Sequence, residues 1–204
     1  MLNIININRH RLSVDGHGVT TLIILSGCPL RCEYCINKKA LLRPAKQMKT
    51  SELLSSILID YCYFVATDGG ITFGGGEPLL QPDGIVEVIN NLPSKVAVNI
   101  ETSLNIQHST IEEVLATKLG NKVNWIIDIK TIDSKIYTDY TGLSNSQVIN
   151  NLKELASKGL QDRCIVRVPL IPGYNDESDI TKSIEFLNTL GYYNIDKFTY
   201  LRSE

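Results

Sequence analysis

Three cysteines, Cys28, Cys32 and Cys35, crowd into the eight-residue string CPLRCEYC. Thiolates are the usual ligands of iron–sulfur clusters. Three of them on one short loop suit three irons of a [4Fe–4S] cluster and leave the fourth open to a small molecule. The competing chemistry is a structural zinc site. Zinc wants a closed set of four ligands, and a fourth would have to come from His17, Cys62 or Cys164. Cys62 lies in the apolar stretch YCYF and Cys164 in RCIV, so both read as core thiols.

Four further polar motifs follow. Ile71-Thr72-Phe73-Gly74-Gly75-Gly76-Glu77-Pro78 reads as a strand, a glycine turn and an acid. Glycines let backbone approach a ligand closely, and an ordinary strand-to-helix turn needs one, not three. Glu101-Thr102-Ser103 follows the next apolar run and reads equally well as a polar loop cap. In Asp128-Ile129-Lys130, strand alternation puts the two charges on one face. Opposite charges at the end of a buried strand need partners or water, which an ordinary rim salt bridge would also provide. Arg167, in RVPLIPGYND, faces solvent or the open end of the fold, where it could pair with a carboxylate or a carbonyl.

These motifs need elements to hold them. Short apolar runs at Thr21–Ser26, Gly70–Phe73, Lys95–Ile100, Asn124–Ile129, Cys164–Val168 and Lys197–Leu201 have the length of buried parallel strands. Helices are expected between them, over 51–66 and 83–92 and after Ser144 and Ser178. Ser144 and Gln147 have capping-box spacing, Val148, Leu152 and Leu155 share one face, and Gly159 and Gly191 supply stops. Alternating β and α units imply a parallel sheet with right-handed crossovers. The expected fold class is α/β, a partial (β/α)6 barrel with parallel strands, in a single domain over 1–204. Each motif falls at the carboxyl end of a successive strand, where parallel β/α folds build their sites.

The chain has 204 residues, a net charge of −2 and 43% hydrophobic residues, which suits a globular domain. No run of like charge suggests nucleic acid. The run Leu22–Leu25 is too short to cross a bilayer, and MLNIININRHR lacks the order of a signal peptide. A cytoplasmic location, with no membrane partner, is expected. Five cysteines, three of them bunched, do not make a disulfide framework.

C-x3-C-x-aromatic-C, with Tyr34 in the aromatic place, followed by GGGEP, resembles the radical S-adenosylmethionine (SAM) superfamily. That resemblance implies a [4Fe–4S] cluster on Cys28, Cys32 and Cys35 and reductive cleavage of SAM to methionine and a 5′-deoxyadenosyl radical. It implies that Gly75, Gly76 and Glu77 bind the amino group of SAM and Lys130 its carboxylate. Tyr34, Thr102 and Arg167 also line the cofactor, and Asp128 with the Glu101–Thr102 loop holds a monovalent cation. Val14-Asp15-Gly16-His17-Gly18, TGLSNSQVINNLKELASKG and VRVPLIPGYNDE are similar to the activating enzymes of glycyl-radical enzymes, over about residues 12–180. The partner implied is a glycyl-radical enzyme, with flavodoxin or ferredoxin as electron donor. Two departures stand out: His17 occupies a common proline position and reads as a turn residue, and no histidine motif follows the sixth strand before Glu204. A small-molecule or peptide-modifying radical enzyme, such as the comparably short 7-carboxy-7-deazaguanine synthases, is the alternative.

Overall fold

The computed structural model describes residues 1–200. Its strands are β1 (Leu2–Leu12), β2 (Val19–Leu25), β3 (Lys46–Met48), β4 (Gly70–Gly75), β5 (Ala97–Thr102), β6 (Asn124–Asp128), β7 (Cys164–Leu170) and β8 (Ile195–Thr199). All six apolar runs are therefore strands, although Leu201, expected to end the last one, lies outside the described residues. The helices are α1 (Lys38–Leu41), α2 (Thr50–Ile57), α3 (Tyr61–Thr67), α4 (Pro82–Asn91), α5 (His108–Leu115), α6 (Ser134–Thr141), α7 (Ser146–Ser157) and α8 (Glu177–Thr189). The α/β class with mainly parallel strands is as expected.

The residues fall into two compact units, the first of 1–28, 37–102 and 109–126, the second of 29–36, 103–108 and 127 onward. In the first, the strand order is β3-β1-β2-β4-β5, with the start of β6 next. β2, β4 and β5 are parallel neighbours. β1 was not foreseen. It pairs antiparallel with β2 and β3, and only Leu2 and Ile4 bury their side chains fully. Its asparagines and arginines disguise the strand as a polar segment. The core gathers Ile23, Leu25, Ile71 and Phe73 from the strands and Leu53, Ile57, Phe64, Ile85 and Val88 from the helices.

The expected helix over 51–66 is two helices, α2 and α3, separated by a 3-10 turn at Leu58–Asp60. The break turns the fully buried Asp60 inward. Its carboxylate accepts from Arg9 Nε at 2.7 Å, from Arg9 Nη2 at 2.5 Å and from Thr21 Oγ1 at 3.4 Å, and meets His10 Nε2 at 3.0 Å.

In the second unit, β7 and β8 are parallel, with Arg167 opposite Asp196, and the end of β6 lies beside β7. Val166, Val168, Leu152, Leu155, Ile180, Leu187 and Tyr192 form the core. The caps differ from expectation. Asn145, not Ser144, precedes α7 and makes no side-chain cap bond, while Gln147 Nε2 donates to the Ile106 carbonyl at 3.1 Å. The capping box belongs to α8, where Asp176 accepts from Ser178 and Asp179 backbone N–H groups. Cys62 is exposed rather than part of the core, since α3 turns Phe64 inward instead. Cys164 is buried as expected, its thiol 3.3 Å from the Leu160 carbonyl. Among the described residues, no helix is long and apolar enough to cross a membrane.

Candidate functional site

In the first unit the carboxyl ends of β2 and β4 are laced together. Gly76 N–H donates to the Leu25 carbonyl at 3.1 Å and Glu77 N–H to the Gly27 carbonyl at 2.8 Å. This lacing explains two of the three glycines. Gly75 has φ +96°, and a Cβ there would lie 2.5 Å from Ile24 Cγ2. A Cβ on Gly76 would lie 1.9 Å from the Gly27 carbonyl oxygen. Strand crowding alone therefore demands glycine here, a reason the sequence does not separate from close approach to a ligand.

The crossing delivers Glu77, 1% exposed, to the end of β5. Its Oε1 accepts from Thr102 Oγ1 at 2.8 Å and from the Leu79 N–H at 3.3 Å. A buried carboxyl group is costly unless hydrogen-bonded, and Thr102 and the Leu79 N–H supply such bonds and fix Glu77 in place. Asn37 Nδ2 donates to the Gly75 carbonyl at 2.8 Å and ties down the chain that leaves the cysteine loop. Beneath lies the Asp15–Gly18 segment. Asp15 is buried and paired with Arg11 at 2.5 Å, its carbonyl accepts from Thr72 Oγ1, and His17 is exposed.

The second unit holds the rest of the cysteine loop. Cys28, exposed, ends a segment of the first unit, and Cys32 and Cys35 are half-buried in the second. Three anchors fix the intervening chain. Arg31 N–H donates to the Thr141 carbonyl at 2.8 Å, Tyr34 Oη to the Pro172 carbonyl at 3.2 Å, and Tyr174 Oη to the Glu33 carboxylate. Tyr174 is steadied in turn by Asn175, which accepts from Ile171 N–H at 2.6 Å and donates to the Pro169 carbonyl at 2.9 Å. The TGLS and PGYND segments thus act locally as clamps on the cysteine loop. The sequence reading missed Glu33, Tyr174 and Tyr140 as partners, because sequence spacing does not show which loops meet.

Lys130 lies next to this loop. It is 7% exposed, its Nζ is 3.0 Å from Asp128 Oδ2 and donates to Tyr200 Oη at 2.8 Å. Burial opposes the charge, but Asp128, with help from Tyr200 and Cys32, outweighs it and holds the ammonium well above its ordinary range. Burial raises the Cys32 thiol, and Lys130 pulls it back toward thiolate. Tyr140 stands against Tyr34, Tyr174 and Tyr200, with ring centroids 6.2, 5.0 and 6.3 Å away. Among the described residues, two buried polar atoms here have no hydrogen-bond partner, Asp128 Oδ1 and Tyr140 Oη. Arg167 sits on β7 with Nε 3.7 Å from Asp196 Oδ2.

The donor set fits an iron–sulfur cluster. Three thiols lie on an irregular loop between β2 and α1, and that of Cys32 feels the positive charge of Lys130. Within the first unit Glu77 is held by Thr102, and within the second Lys130 is held by Asp128. Among the described residues, no group of three His, Cys, Asp or Glu side chains is arranged to hold a bare metal ion.

Comparison with known proteins gives a consistent picture. A model of the Radical SAM superfamily matches residues 22–187. The pyruvate formate-lyase-activating enzyme of Staphylococcus aureus (strain USA300) is 32% identical, over 93% of this chain and 76% of the relative. Among solved structures, a domain of a pyruvate-formate lyase-activating enzyme from Bacteroides vulgatus is 28% identical, with a TM-score of 0.50, over 63% of this chain and 76% of that one. The crystal structure of Streptococcus suis SuiB has a TM-score of 0.66 at 20% identity. There the match covers 89% of this chain but only 40% of SuiB, a likeness of fold alone.

Proposed function

The chain belongs to the radical SAM superfamily, a radical SAM enzyme similar to pyruvate formate-lyase-activating enzymes, and from that premise we propose that it installs a glycyl radical on a partner enzyme. The observation that carries the proposal is the clamped CPLRCEYC loop, whose half-buried Cys32 feels the positive charge of Lys130. When bound, the [4Fe–4S] cluster supplies the electron for reductive cleavage of SAM to methionine and a 5′-deoxyadenosyl radical, which takes a hydrogen atom from the glycine α-carbon.

The chain's own residues bind and orient. Cys28, Cys32 and Cys35 would hold the cluster. The Gly75–Gly76 backbone and Glu77, braced by Thr102, receive the amino group of SAM. Lys130 receives its carboxylate, and Asp128 holds the ammonium charged and takes part in a monovalent cation site. Tyr34 is the aromatic wall of the loop, tied to Pro172. Arg167, beside Asp196, lines the cofactor. Flavodoxin or ferredoxin delivers the electron in a cytoplasmic setting, and residues 1–204 work as one catalytic domain.

The test is anaerobic. The cluster is reconstituted, dithionite and SAM are added, and 5′-deoxyadenosine is quantified by chromatography. The proposal requires 5′-deoxyadenosine from the native protein and none from Cys32→Ala. Product from a Cys32→Ala protein, or none from a native protein with a full cluster and a glycyl-radical partner present, would refute it.

A further inference from the structure

Lys130 carries three ammonium hydrogens. Among the described residues, Asp128 Oδ2 at 3.0 Å and Tyr200 Oη at 2.8 Å engage two of them. We propose that Tyr200 is a positioning residue for Lys130, holding the ammonium so that its third hydrogen is kept for the carboxylate of SAM. The inference rests on the role given to Lys130 above.

The physical case turns on the kind of partner Tyr200 is. A lysine side chain is a charge on a flexible stem with about 2 kcal/mol of rotamer entropy. Asp128 alone would draw the ammonium to itself and aim it nowhere else. A second carboxylate would fix it but cancel the charge that an incoming anion needs. A phenol oxygen fixes the direction and leaves the charge.

Tyr200 is itself fixed. Its N–H donates to the Leu170 carbonyl at 2.9 Å. Its ring lies 5.3 Å from Phe198, edge to face, and 6.3 Å from Tyr140 at 30°. Among the described residues, Tyr140 Oη and Asp128 Oδ1 are buried without hydrogen-bond partners, each at a cost of about 1–3 kcal/mol that a polar ligand would remove. Lys130 also has a left-handed backbone, φ +63°, a strain that gathers at ligand sites. An aromatic residue serving only the core would account for the rings but not for these three features together.

The test measures binding to reconstituted holoenzyme by equilibrium dialysis, expressed per four-iron cluster. The probes are SAM and decarboxylated SAM, which lacks the carboxylate. Tyr200→Phe should weaken SAM about tenfold and decarboxylated SAM by less than about twofold, because a hydrogen bond to a charged group has been lost. Tyr200→Gln, which restores an acceptor, should recover most of the loss. Unchanged or tighter SAM binding in Tyr200→Phe, or equal loss for both probes, overturns the proposal. Lys130→Ala keeps the two ideas apart. If it leaves SAM affinity intact, the role of Lys130 falls and the inference with it. If it weakens SAM while Tyr200→Phe does not, only the inference falls.

Discussion

Replacing Lys130 by Met removes the ammonium while keeping a flexible unbranched side chain of similar length. The charges of Lys130 and Asp128 are 3.0 Å apart, which at an effective dielectric of about 20 is an attraction of about 5–6 kcal/mol. Desolvation takes several kcal/mol of that back. Asp128 also keeps 31% of its side chain exposed, so water can recover part of its solvation in the variant. A net loss of about 2–3 kcal/mol remains, much of it from the carboxylate left half in the protein without its partner. For a chain of this length that lowers Tm by roughly 5–10 °C. Circular dichroism melts of the cluster-free protein read it directly. The double variant Lys130→Met with Asp128→Asn should regain at least half of the loss, because no uncompensated charge is left. A single variant melting within about 1 °C of native protein, or a double variant no better than the single, would refute the picture of a buried, mutually dependent pair.

Other expectations follow from the same geometry. Thr102→Val leaves the buried Glu77 without its hydroxyl donor and should destabilise the protein by about 1–3 kcal/mol, measured by urea unfolding, with Thr102→Ser close to native. Tyr174→Phe releases Glu33, and with it the cysteine loop, from this clamp and should speed loss of the reconstituted cluster several-fold, seen as faster bleaching of its visible absorbance; an unchanged rate would mean that the loop needs no clamp. Asp60 has its carboxyl held below the ordinary range by hydrogen bonds from Arg9, against burial, with His10 adding to the effect. A depressed carboxyl contributes stability that is full above its unfolded pKa of about 4 and lost as pH falls through the folded value. The stability gap between native protein and Asp60→Asn should therefore be widest near neutral pH and narrow on acidification below about 4. A gap that grows toward acid would reverse that assignment.

Most of the six expected strands were legible as short apolar runs, several rich in Val and Ile and largely buried, as in Asn124–Asp128, whereas β8 buries none of its residues fully. β1 was not legible, because Asn3, Asn6, Arg9 and Arg11 give the segment a polar composition, and only alternation at Leu2 and Ile4 marked it. The break at Asp60 could not be read, since its cause is a set of partners about forty to fifty residues away. The motifs were legible as types of chemistry, while their local support was not. Thr102 could be named, but nothing in the sequence says that it donates to Glu77. Glu33 and Tyr174 are 141 positions apart and meet only through tertiary structure. The glycine triplet was read for its openness to a ligand, yet Gly76 is also required by the carbonyl of Gly27.

The central claim is that this chain makes a glycyl radical on another protein. The direct measurement is an electron paramagnetic resonance spectrum of a glycyl-radical enzyme mixed anaerobically with the reconstituted, reduced protein and SAM. The account predicts a doublet split by one α-hydrogen. The doublet should disappear when the target glycine is replaced by alanine and be absent with the Cys32→Ala protein. An enzyme that forms 5′-deoxyadenosine and yet leaves every glycyl-radical protein offered to it without that doublet would contradict the proposed substrate while leaving the radical chemistry standing.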